Sequence, residues 1–485
     1  MGKSMSGNLL ISRGTSTKYT PQMVRKLREA AGNAKSFVVV GYDEMLCDYI
    51  GESNCIRRED CLRGKYDSYI DEYNMSIRSI DANDIEDVRK FITPAMLMNR
   101  RFEKRMRMNF PGTLSEHYRM IINHILFWNT FLDEIEIKYF VMSDAPHEVY
   151  DYIIYELCKK KGICTIGYRY LYKTDRYLIF NEFDDFELVC KKKYTECILK
   201  YKGRDIDSTI LDFELKQFYN SLKNDKTKTF DVDVNFNREF AYRFGEIRLD
   251  LYIKDCIKRK RTNSENSFRD NVDYLKSYFY ILKRKRETSI FRKSYEALTE
   301  APDFTQSYVY FALHLLPESA VDPLGGVFSD QFLAVKMISE YLPQGWKLFV
   351  RMHPAQVCTV MDYEEIKRFA DLKNVILIST KVNQQDLISR SKAVATLTGE
   401  IAIESMMYDV PCLVFGKTYY GAMPNAKVIQ CMEDMQQAVD LIKNGKLMIG
   451  ENDKILFFKA MEEASYKGVD GAVDEICRRI NEQRK

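Results

Sequence analysis

The sequence predicts an α/β fold in which two Rossmann-like domains face a cleft, with a helical, basic insertion between them. The chain has 485 residues, too many for one hydrophobic core, so two domains are expected. Strands alternate with helices from Tyr308 to Tyr420, and a second strand–turn–helix–strand unit runs from Ile135 to Ile166. Such alternation is typical of right-handed βαβ units and a parallel, doubly wound sheet.

These patterns divide the chain into four predicted parts. Residues 1–235 form an N-terminal Rossmann-like domain, and residues 236–304 form a helical, basic connecting segment. Residues 305–450 form a C-terminal Rossmann-like domain. Residues 451–485 form a helical tail, predicted as one long amphipathic helix over Lys454 to Arg484.

The N-terminal domain has two clear strand signals. The first 36 residues are polar and basic with one predicted helix, and the run from Ser36 to Gly41 is the first buried strand. The run from Ile135 to Met142 is the second, and it leads into Ser143-Asp144-Ala145-Pro146-His147-Glu148. Pro146 suits the first turn of the helix that follows. This loop therefore places polar side chains at a strand end.

The stretch from Tyr308 to Tyr420 in the C-terminal domain has five predicted strands, with polar residues collected at their carboxyl ends, and one more short strand is predicted from Lys427 to Gln430. In doubly wound sheets, ligands bind beyond those ends. The strands are Tyr308–Leu313, Lys347–Arg351, Val375–Ile378, Ala393–Thr396 and Pro411–Phe415. The polar residues at this edge are His314, Glu318, His353, Thr398, Gly399, Glu404 and Gly416.

Composition excludes several classes of function. The net charge is only +3, from 73 basic and 70 acidic residues, and no segment resembles a groove-reading module, so we expect no nucleic-acid partner. The 12 cysteines form no CxxC pair, which indicates reduced core residues in a cytoplasmic protein. No apolar run is long enough to span a membrane, and we expect no signal peptide. Residues 1–6 fit the loose N-myristoylation pattern, but a plain polar leader is the simpler interpretation.

Motifs for other chemistries are missing from the sequence. Gly2-Lys3-Ser4 lacks the upstream glycine of a P-loop, and no GxSxG elbow or HExxH motif occurs. Asp184-Asp185 and Asp231-Val232-Asp233 are candidate metal carboxylates, yet neither follows a strand of a Rossmann-like unit. The sequence therefore predicts no metal ion and no cofactor.

The connecting segment has two basic runs, Lys258–Arg261 and Lys283–Arg286, and a third cluster lies at Arg100–Arg107. One interpretation is peripheral contact with an anionic membrane surface, at its inner face, or with a polyanionic glycan. The other is a solvated helical face that links two domains, which we favour because its aromatic residues recur at helical spacing.

A set of motifs in fixed succession then makes a resemblance specific. They are Ala312-Leu-His-Leu-Leu-Pro-Glu-Ser319, Pro323-Leu-Gly-Gly-Val-Phe-Ser-Asp-Gln331, Leu342-Pro-Gln-Gly-Trp346, Val350-Arg-Met-His-Pro354, Thr396-Leu-Thr-Gly399 and Pro411-Cys-Leu-Val-Phe-Gly-Lys-Thr-Tyr-Tyr420. Over residues 305–430 this resembles the capsule polysaccharide biosynthesis family, whose characterised members include Kdo transferases that use a CMP-activated sugar. The chain departs from the usual pattern at Arg351-Met352, where Lys-Glu is more common, and at Glu400, where a small residue is usual.

The resemblance implies a GT-B glycosyltransferase and a role for each motif residue on the donor side. His353 would contact the nucleotide phosphate as an imidazolium, with Pro354 fixing the backbone behind it. Thr398 and Gly399 would bind phosphate through backbone amides and a hydroxyl. Glu404, with Ser405 beside it, would hold the donor ribose. The remaining implied donor-site residues are His314, Glu318, Ser319, Arg351 and Gly416.

The base that deprotonates the acceptor hydroxyl is expected from the opposite domain. Asp144 is the first candidate because it ends a strand and faces the predicted cleft, and His147 and Glu148 are its rivals. The expected function is transfer of a sugar, such as an acidic sugar from a CMP-linked donor, to a capsule or related glycan or glycolipid. The alternatives are a UDP-sugar transferase, a CDP-polyol-phosphate transferase, and a non-catalytic subunit that binds sugar nucleotides or glycans in a capsule assembly complex.

Overall fold

A computed structural model of the protein describes most of both predicted domains. The described residues are 7–12, 20–40, 44–51, 54–77, 89–98, 113–171, 174–224, 283, 286–316, 318–356, 361–447 and 449–484. The Arg100–Arg107 cluster, the Asp231–Asp233 triplet, the Lys258–Arg261 run and the N-terminal acylation pattern lie outside these residues.

The N-terminal domain is built on a seven-stranded sheet with the order β13-β6-β5-β4-β1-β2-β3. Strands β1 to β5 are mutually parallel, whereas β6 runs antiparallel to both β5 and β13. The strands are β1 (Asn8–Ser12), β2 (Ser36–Val40), β3 (Cys55–Arg57), β4 (Ile137–Met142), β5 (Cys164–Leu171), β6 (Arg176–Phe180) and β13 (Ser465–Lys467).

Strand β1 is the central strand of this sheet, and the sequence patterns did not predict it. It pairs with β2 on one side and with β4 on the other. Its residues Leu9, Leu10 and Ile11 are fully buried between helices on both faces. The five-residue run is short and stands within a polar, basic leader, so it carried little periodic signal.

The C-terminal domain is built on a six-stranded, all-parallel sheet with the order β12-β11-β10-β7-β8-β9. This is the Rossmann order, in which the chain winds outward first to one side of β7 and then to the other. The strands are β7 (Tyr308–Ala312), β8 (Lys347–Arg351), β9 (Val375–Ile378), β10 (Ala393–Thr396), β11 (Cys412–Val414) and β12 (Ala426–Val428). The strand order therefore reverses between β7 and β10.

Helices cover both faces of each sheet and bury continuous apolar cores. In the N-terminal half they are α1 (Pro21–Ala30), α2 (Glu44–Ile50), α3 (Arg58–Arg63), α4 (Asp67–Glu72), α5 (89–98), α6 (Leu114–Glu134), α7 (Tyr150–Lys161), α8 (Phe186–Lys200) and α9 (Phe213–Asn224). In the C-terminal half they are α10 (286–297), α11 (Gln331–Tyr341), α12 (Tyr363–Ala370), α13 (Gln384–Ser389), α14 (Ile401–Met407), α15 (Met432–Lys443), α16 (Glu451–Ala464) and α17 (Gly468–Gln483).

The C-terminal segment returns to the N-terminal domain instead of forming one long helix. It consists of α16 and α17 separated by β13, which pairs with β6 at the sheet edge. Arg176 fixes this return, since its guanidinium donates to the Ser465 Oγ at 2.9 Å and to the Glu462 carbonyl at 2.7 Å. The single-helix prediction was wrong because the strand that interrupts the helix forms through pairing with a distant part of the chain.

The two Rossmann-like domains of the predicted fold class are confirmed, and most of the predicted helical, basic insertion lies outside the described residues. Two Rossmann-like sheets lie in one chain, and their carboxyl edges approach each other as in a GT-B-like arrangement. Among the described residues, no helix is both long and apolar enough to cross a membrane.

Candidate functional site

Asp144 lies at the carboxyl end of β4, where the strand order of the N-terminal sheet reverses. Its Oδ1 accepts a hydrogen bond from the Arg169 guanidinium at 3.0 Å and one from the Ala145 backbone N–H at 2.7 Å. Its φ of 119° lies in the left-handed region, a strained conformation that recurs at functional sites. The side chain is 29% exposed, so a ligand can reach the Asp144 carboxylate.

The other two predicted bases, His147 and Glu148, lie in different surroundings. His147 is partly exposed, and its Nδ1 lies 3.1 Å from the Ala145 carbonyl oxygen; because that oxygen only accepts, Nδ1 carries the proton. Glu148 is 1% exposed and forms a two-point ion pair with Arg58. Tyr150 also donates to this carboxylate, at 3.3 Å. The geometry of Glu148 therefore favours an anchoring role for the loop over proton transfer.

His314 follows β7 at the point where the strand order of the C-terminal sheet reverses. Its Nε2 accepts hydrogen bonds from the backbone N–H of Leu397 at 3.2 Å and of Thr398 at 3.1 Å. Burial, together with the nearby His353, lowers the pKa of His314 to about 3. The ring is therefore neutral, with its proton on Nδ1. His314 thus organises the turn after β10 and keeps one ring N–H as a donor.

Thr398 and Gly399 form that turn, and their polar groups are already used inside it. The Thr398 hydroxyl donates to the Ala320 carbonyl at 2.9 Å, and its amide donates to His314. The Gly399 amide donates to the Thr396 Oγ1 at 3.0 Å. The predicted phosphate contacts through these three donors are therefore not favoured. The Thr398-Gly399 motif is instead explained by the hydrogen bonds and close packing within the turn.

Gly399 and Gly416 are required by close packing at this turn. A Cβ on Gly399 would lie 2.7 Å from the Thr396 Oγ1, and one on Gly416 would lie 2.5 Å from the Thr398 Cγ2. Gly416 also donates through its amide to the Leu397 carbonyl at 3.0 Å. Neither glycine can carry a side chain without displacing the residues that hold the site.

His353 lies at the end of β8, beside β7, with Pro354 exposed next to it. Its Nδ1 accepts a hydrogen bond from the Ala355 backbone N–H at 3.1 Å. Burial and the nearby Arg351 charge lower the pKa of His353 to about 4. In the ligand-free protein the low pKa favours the neutral ring, whereas the imidazolium predicted from the sequence concerns the complex with the departing nucleotide. The ring is neutral and carries its proton on Nε2.

Arg351 and Glu404 belong to one buried polar network. Arg351 donates to the Gln384 Oε1 at 3.0 Å and to the Thr380 carbonyl at 2.8 Å. Gln384 in turn donates to the Glu404 Oε2 at 3.1 Å, and Glu404 is 5% exposed. The structure thus brings these two predicted residues together, with Gln384 as a bridge that the sequence patterns did not indicate.

Ser405 and the loop after β7 have structural partners. The Ser405 hydroxyl is fully buried and donates to the Ala402 carbonyl at 2.8 Å, so the geometry does not favour a ribose contact through Ser405 itself. The backbone carbonyls of Glu318 and Ser319 accept from Val321 and Leu324, at 2.9 and 3.2 Å. This loop carries the Ala320 carbonyl that receives the Thr398 hydroxyl.

Glu400 joins the edges of the two sheets, and the sequence reasoning did not select it as a site residue. The Tyr419 hydroxyl lies 3.2 Å from Oε1 and 3.0 Å from Oε2 of the carboxylate. Burial raises the pKa of Glu400 to about 7, although the Tyr419 hydrogen bond and the Arg169 charge both act to lower it. Arg169, which pairs with Asp144, therefore interacts electrostatically with a carboxylate of the opposite domain.

Further contacts hold the two domains together beside this network. The Lys417 ammonium lies 5.4 Å from the centroid of the Phe183 ring. A Cβ on Gly421 would lie 3.0 Å from the Glu187 carboxylate. The loop after β11, which also carries Tyr419, thus rests on the N-terminal domain. This packing fixes the position of Tyr419 and, through it, of Glu400.

The described residues contain no group of three or more His, Cys, Asp or Glu side chains arranged to hold a metal ion. The ligand groups at the two sheet edges are instead neutral imidazole N–H donors on the C-terminal side and carboxylates beside an arginine on the N-terminal side. Such a set can bind an anionic group and move a proton at a hydroxyl.

Comparisons with known proteins agree with the sequence resemblance. Residues 273–424 match the model of the family described as capsule polysaccharide biosynthesis protein. No significant match is found among curated proteins.

Solved structures give broad but distant matches. One is the KpsC β-Kdo 2,7 transferase of Thermosulfurimonas dismutans, with 10% identity, 77% of this chain and 98% of that chain covered, and a TM-score of 0.30. Its β-Kdo 2,4 transferase matches with 9% identity, 70% and 88% coverage, and a TM-score of 0.29. The UDP-GlcNAc 2-epimerase of Methanocaldococcus jannaschii matches with 10% identity, 94% and 99% coverage, and a TM-score of 0.26.

Proposed function

We propose that this protein is a glycosyltransferase that moves an acidic sugar from a CMP-sugar to a capsule or related surface glycan or glycolipid. The observation that carries the proposal is the meeting of the two sheet edges at Arg169, which pairs with Asp144 and interacts with Glu400 of the other domain. Each edge is a topological switch point, where doubly wound folds bind ligands. The family match over residues 273–424 supports the glycan context.

The donor would bind at the edge of the C-terminal sheet. His353 offers an Nε2–H and His314 an Nδ1–H, since the other nitrogen of each ring accepts from backbone amides. Two neutral donors suit a phosphate that gains charge as the sugar departs. Glu404 is proposed to hold the ribose hydroxyls, with Gln384 fixing its carboxylate. Gly399 and Gly416 allow the close packing of the turn at this edge.

The remaining donor-side residues are proposed to shape the site more than to touch the nucleotide. Arg351 is held by Gln384 and Thr380, so it orients the bridge to Glu404. Glu318 and Ser319 support the turn through the loop they form, and Pro354 limits the backbone beside His353.

The acceptor would approach from the N-terminal side, where Asp144 and His147 are both reachable from solvent. In the reaction the acceptor hydroxyl loses its proton, and its oxygen forms a bond to the anomeric carbon. The bond from that carbon to the phosphate oxygen breaks, and its electron pair leaves with the nucleotide. Closure of the two domains would exclude water from the activated donor.

The test is nucleotide release by the purified protein from CMP-Kdo and from a panel of UDP-sugars, in EDTA. We expect the protein to release CMP from CMP-Kdo, and we expect the rate of release to fall strongly in His353→Ala. Release of UDP from UDP-sugars, without release of CMP from CMP-Kdo, would support a transferase but contradict the CMP-sugar donor. Release of CMP from a CDP-polyol in a parallel reaction would favour a polyol-phosphate transferase. Turnover with none of these donors would favour a non-catalytic binding subunit.

A further inference from the structure

We propose that Glu400 is the catalytic residue that takes the proton from the acceptor hydroxyl. This inference rests on the proposed transferase function and replaces Asp144 as the first candidate for the base. Glu400 follows β10 in the turn that His314 organises, so its backbone is fixed at the switch point of the C-terminal sheet. It is the acidic residue of this turn.

The contacts of Glu400 suit a carboxylate that must stay in place and still titrate. The Tyr419 hydroxyl lies 3.2 and 3.0 Å from its two oxygens, so one donor orients the group. The charge of Arg169 acts on it from the opposite domain. Glu400 is partly buried and lies where the edges of the two sheets approach each other. Buried carboxylates with one neutral donor and a nearby cation recur as general bases.

The contacts of Asp144 suit a different role. One oxygen, Oδ1, accepts from both Arg169 and the Ala145 backbone, which commits it to holding the guanidinium. Asp144 then acts as a positioning residue, because it fixes the arginine that faces Glu400. Its second oxygen stays available to orient the acceptor sugar.

The groups that face Glu400 come from three elements. Arg169 on β5 favours its charged form, and so does the hydrogen bond from Tyr419 in the loop after β11. Tyr420 in the same loop donates to the Gly399 carbonyl at 2.8 Å, beside Glu400. Asp144 lies behind Arg169. Burial raises the pKa of Glu400 to about 7 against the lowering effects of Tyr419 and Arg169, and this value is suitable for a base at physiological pH.

The proton balance is simple. The charged carboxylate of Glu400 receives the hydroxyl proton as the acceptor oxygen bonds to the anomeric carbon. The neutral acid then releases that proton to solvent once the nucleotide has left. No oxidant, reductant or further co-reactant is required.

The experiment is the pH profile of nucleotide release from the donor that the wild-type protein turns over, with Glu400→Gln and Asp144→Asn as variants. Glu400→Gln should lower kcat by about 10²- to 10⁴-fold and remove the rise in rate near pH 7. Glu400→Asp should recover part of the rate, with its own pH dependence. Asp144→Asn should keep a rise in rate, displaced to lower pH, since Arg169 would then act on Glu400 alone.

Glu475→Gln is the control, because Glu475 is also a buried carboxylate but pairs with Arg478 and Arg479 on its own helix, α17, at 2.8 and 2.9 Å. It should leave the profile unchanged. A normal rate and an unchanged pH profile in Glu400→Gln would overturn this inference alone. If Asp144→Asn lost the rise in rate near pH 7 while Glu400→Gln kept a normal pH–rate profile, Asp144 would again be the first candidate for the base. No turnover by the wild-type protein with any donor would overturn the proposed function and this inference together.

Discussion

The Tyr419 hydroxyl contacts both carboxylate oxygens of Glu400, at 3.2 and 3.0 Å. The two residues lie in different loops of the C-terminal domain, after β11 and after β10. The same carboxylate is acted on by Arg169 from the N-terminal domain. The pKa of the Glu400 carboxyl therefore depends on the loop after β11, on the turn after β10 and on the contact between the two domains.

Tyr419→Phe should move the rise in the pH–rate profile to higher pH. The lost hydroxyl stabilises the charged form of Glu400, so removing it raises the pKa of that carboxyl further above about 7. Nucleotide release measured from pH 5 to 9 checks this. Tyr420→Phe is the control because its hydroxyl donates to the Gly399 carbonyl. An equal shift in both variants would contradict a specific role for Tyr419.

Arg169→Met should move the rise in rate in the same direction and also release Asp144. The guanidinium lowers the pKa of Glu400 and pairs with Asp144 at 3.0 Å. Arg169→Lys should still lower the pKa of Glu400 and pair with Asp144 in part, since lysine keeps the positive charge but lacks the planar fork of the guanidinium. The same pH series measures both variants. A profile unaltered in Arg169→Met would show that the two domains do not share this network.

Glu400→Gln should make the protein more stable at pH 8 than the wild type, but not at pH 5. The folded-state pKa of Glu400 is raised from 4.5 to about 7, so the folded protein binds its proton more tightly than the unfolded chain. That stabilisation is complete below about pH 4.5 and is lost as the pH rises through 7. The gain at pH 8 should not exceed about 3 kcal/mol. Thermal unfolding at the two pH values measures it, and a pH-independent difference would contradict the raised pKa.

His314→Ala should destabilise the C-terminal domain by about 2–4 kcal/mol, because two backbone amides, of Leu397 and Thr398, lose their acceptor. Gly399→Ala should also destabilise the domain, since the added Cβ would lie 2.7 Å from the Thr396 Oγ1. Urea unfolding measures both. As a control, His147→Ala removes a partly exposed ring that lies near Asp151, and it should destabilise the protein less than His314→Ala does. A wild-type stability in His314→Ala would show that the ring does not hold the turn.

Much of the C-terminal sheet could be predicted because its strands are short, fully buried apolar runs between helices. The predicted bounds of β8, β9 and β10 coincide with the observed ones, and the polar residues after β7, β8 and β10 lie at one edge. Strand β1 was not predicted because only three of its five residues are apolar, and a run this short in a polar leader carries little pattern. The break in the helical C-terminal tail was not predicted because its strand, β13, forms only by pairing with β6.

The site itself was only partly predictable. Sequence patterns selected His314, Thr398 and Gly399 correctly as neighbours, but they could not tell a hydrogen bond within the turn from one to a ligand. The approach of Arg169 to Glu400 joins residues far apart in the chain and in separate domains, so no local spacing encodes it. The sequence did carry one signal for Glu400, since this acidic residue stands where the family that the sequence resembles usually has a small residue.

A thermal-shift panel of CMP, CDP, UDP, GDP and ADP on the purified protein, without added metal, tests whether the C-terminal sheet edge binds a CMP donor. A ligand that binds only the folded state raises the unfolding midpoint by mass action. We predict selective stabilisation by CMP, lost in His353→Ala and retained in Glu400→Gln. Stabilisation by UDP alone would contradict the CMP donor, and no response to any nucleotide would contradict a transferase with its donor site at His353.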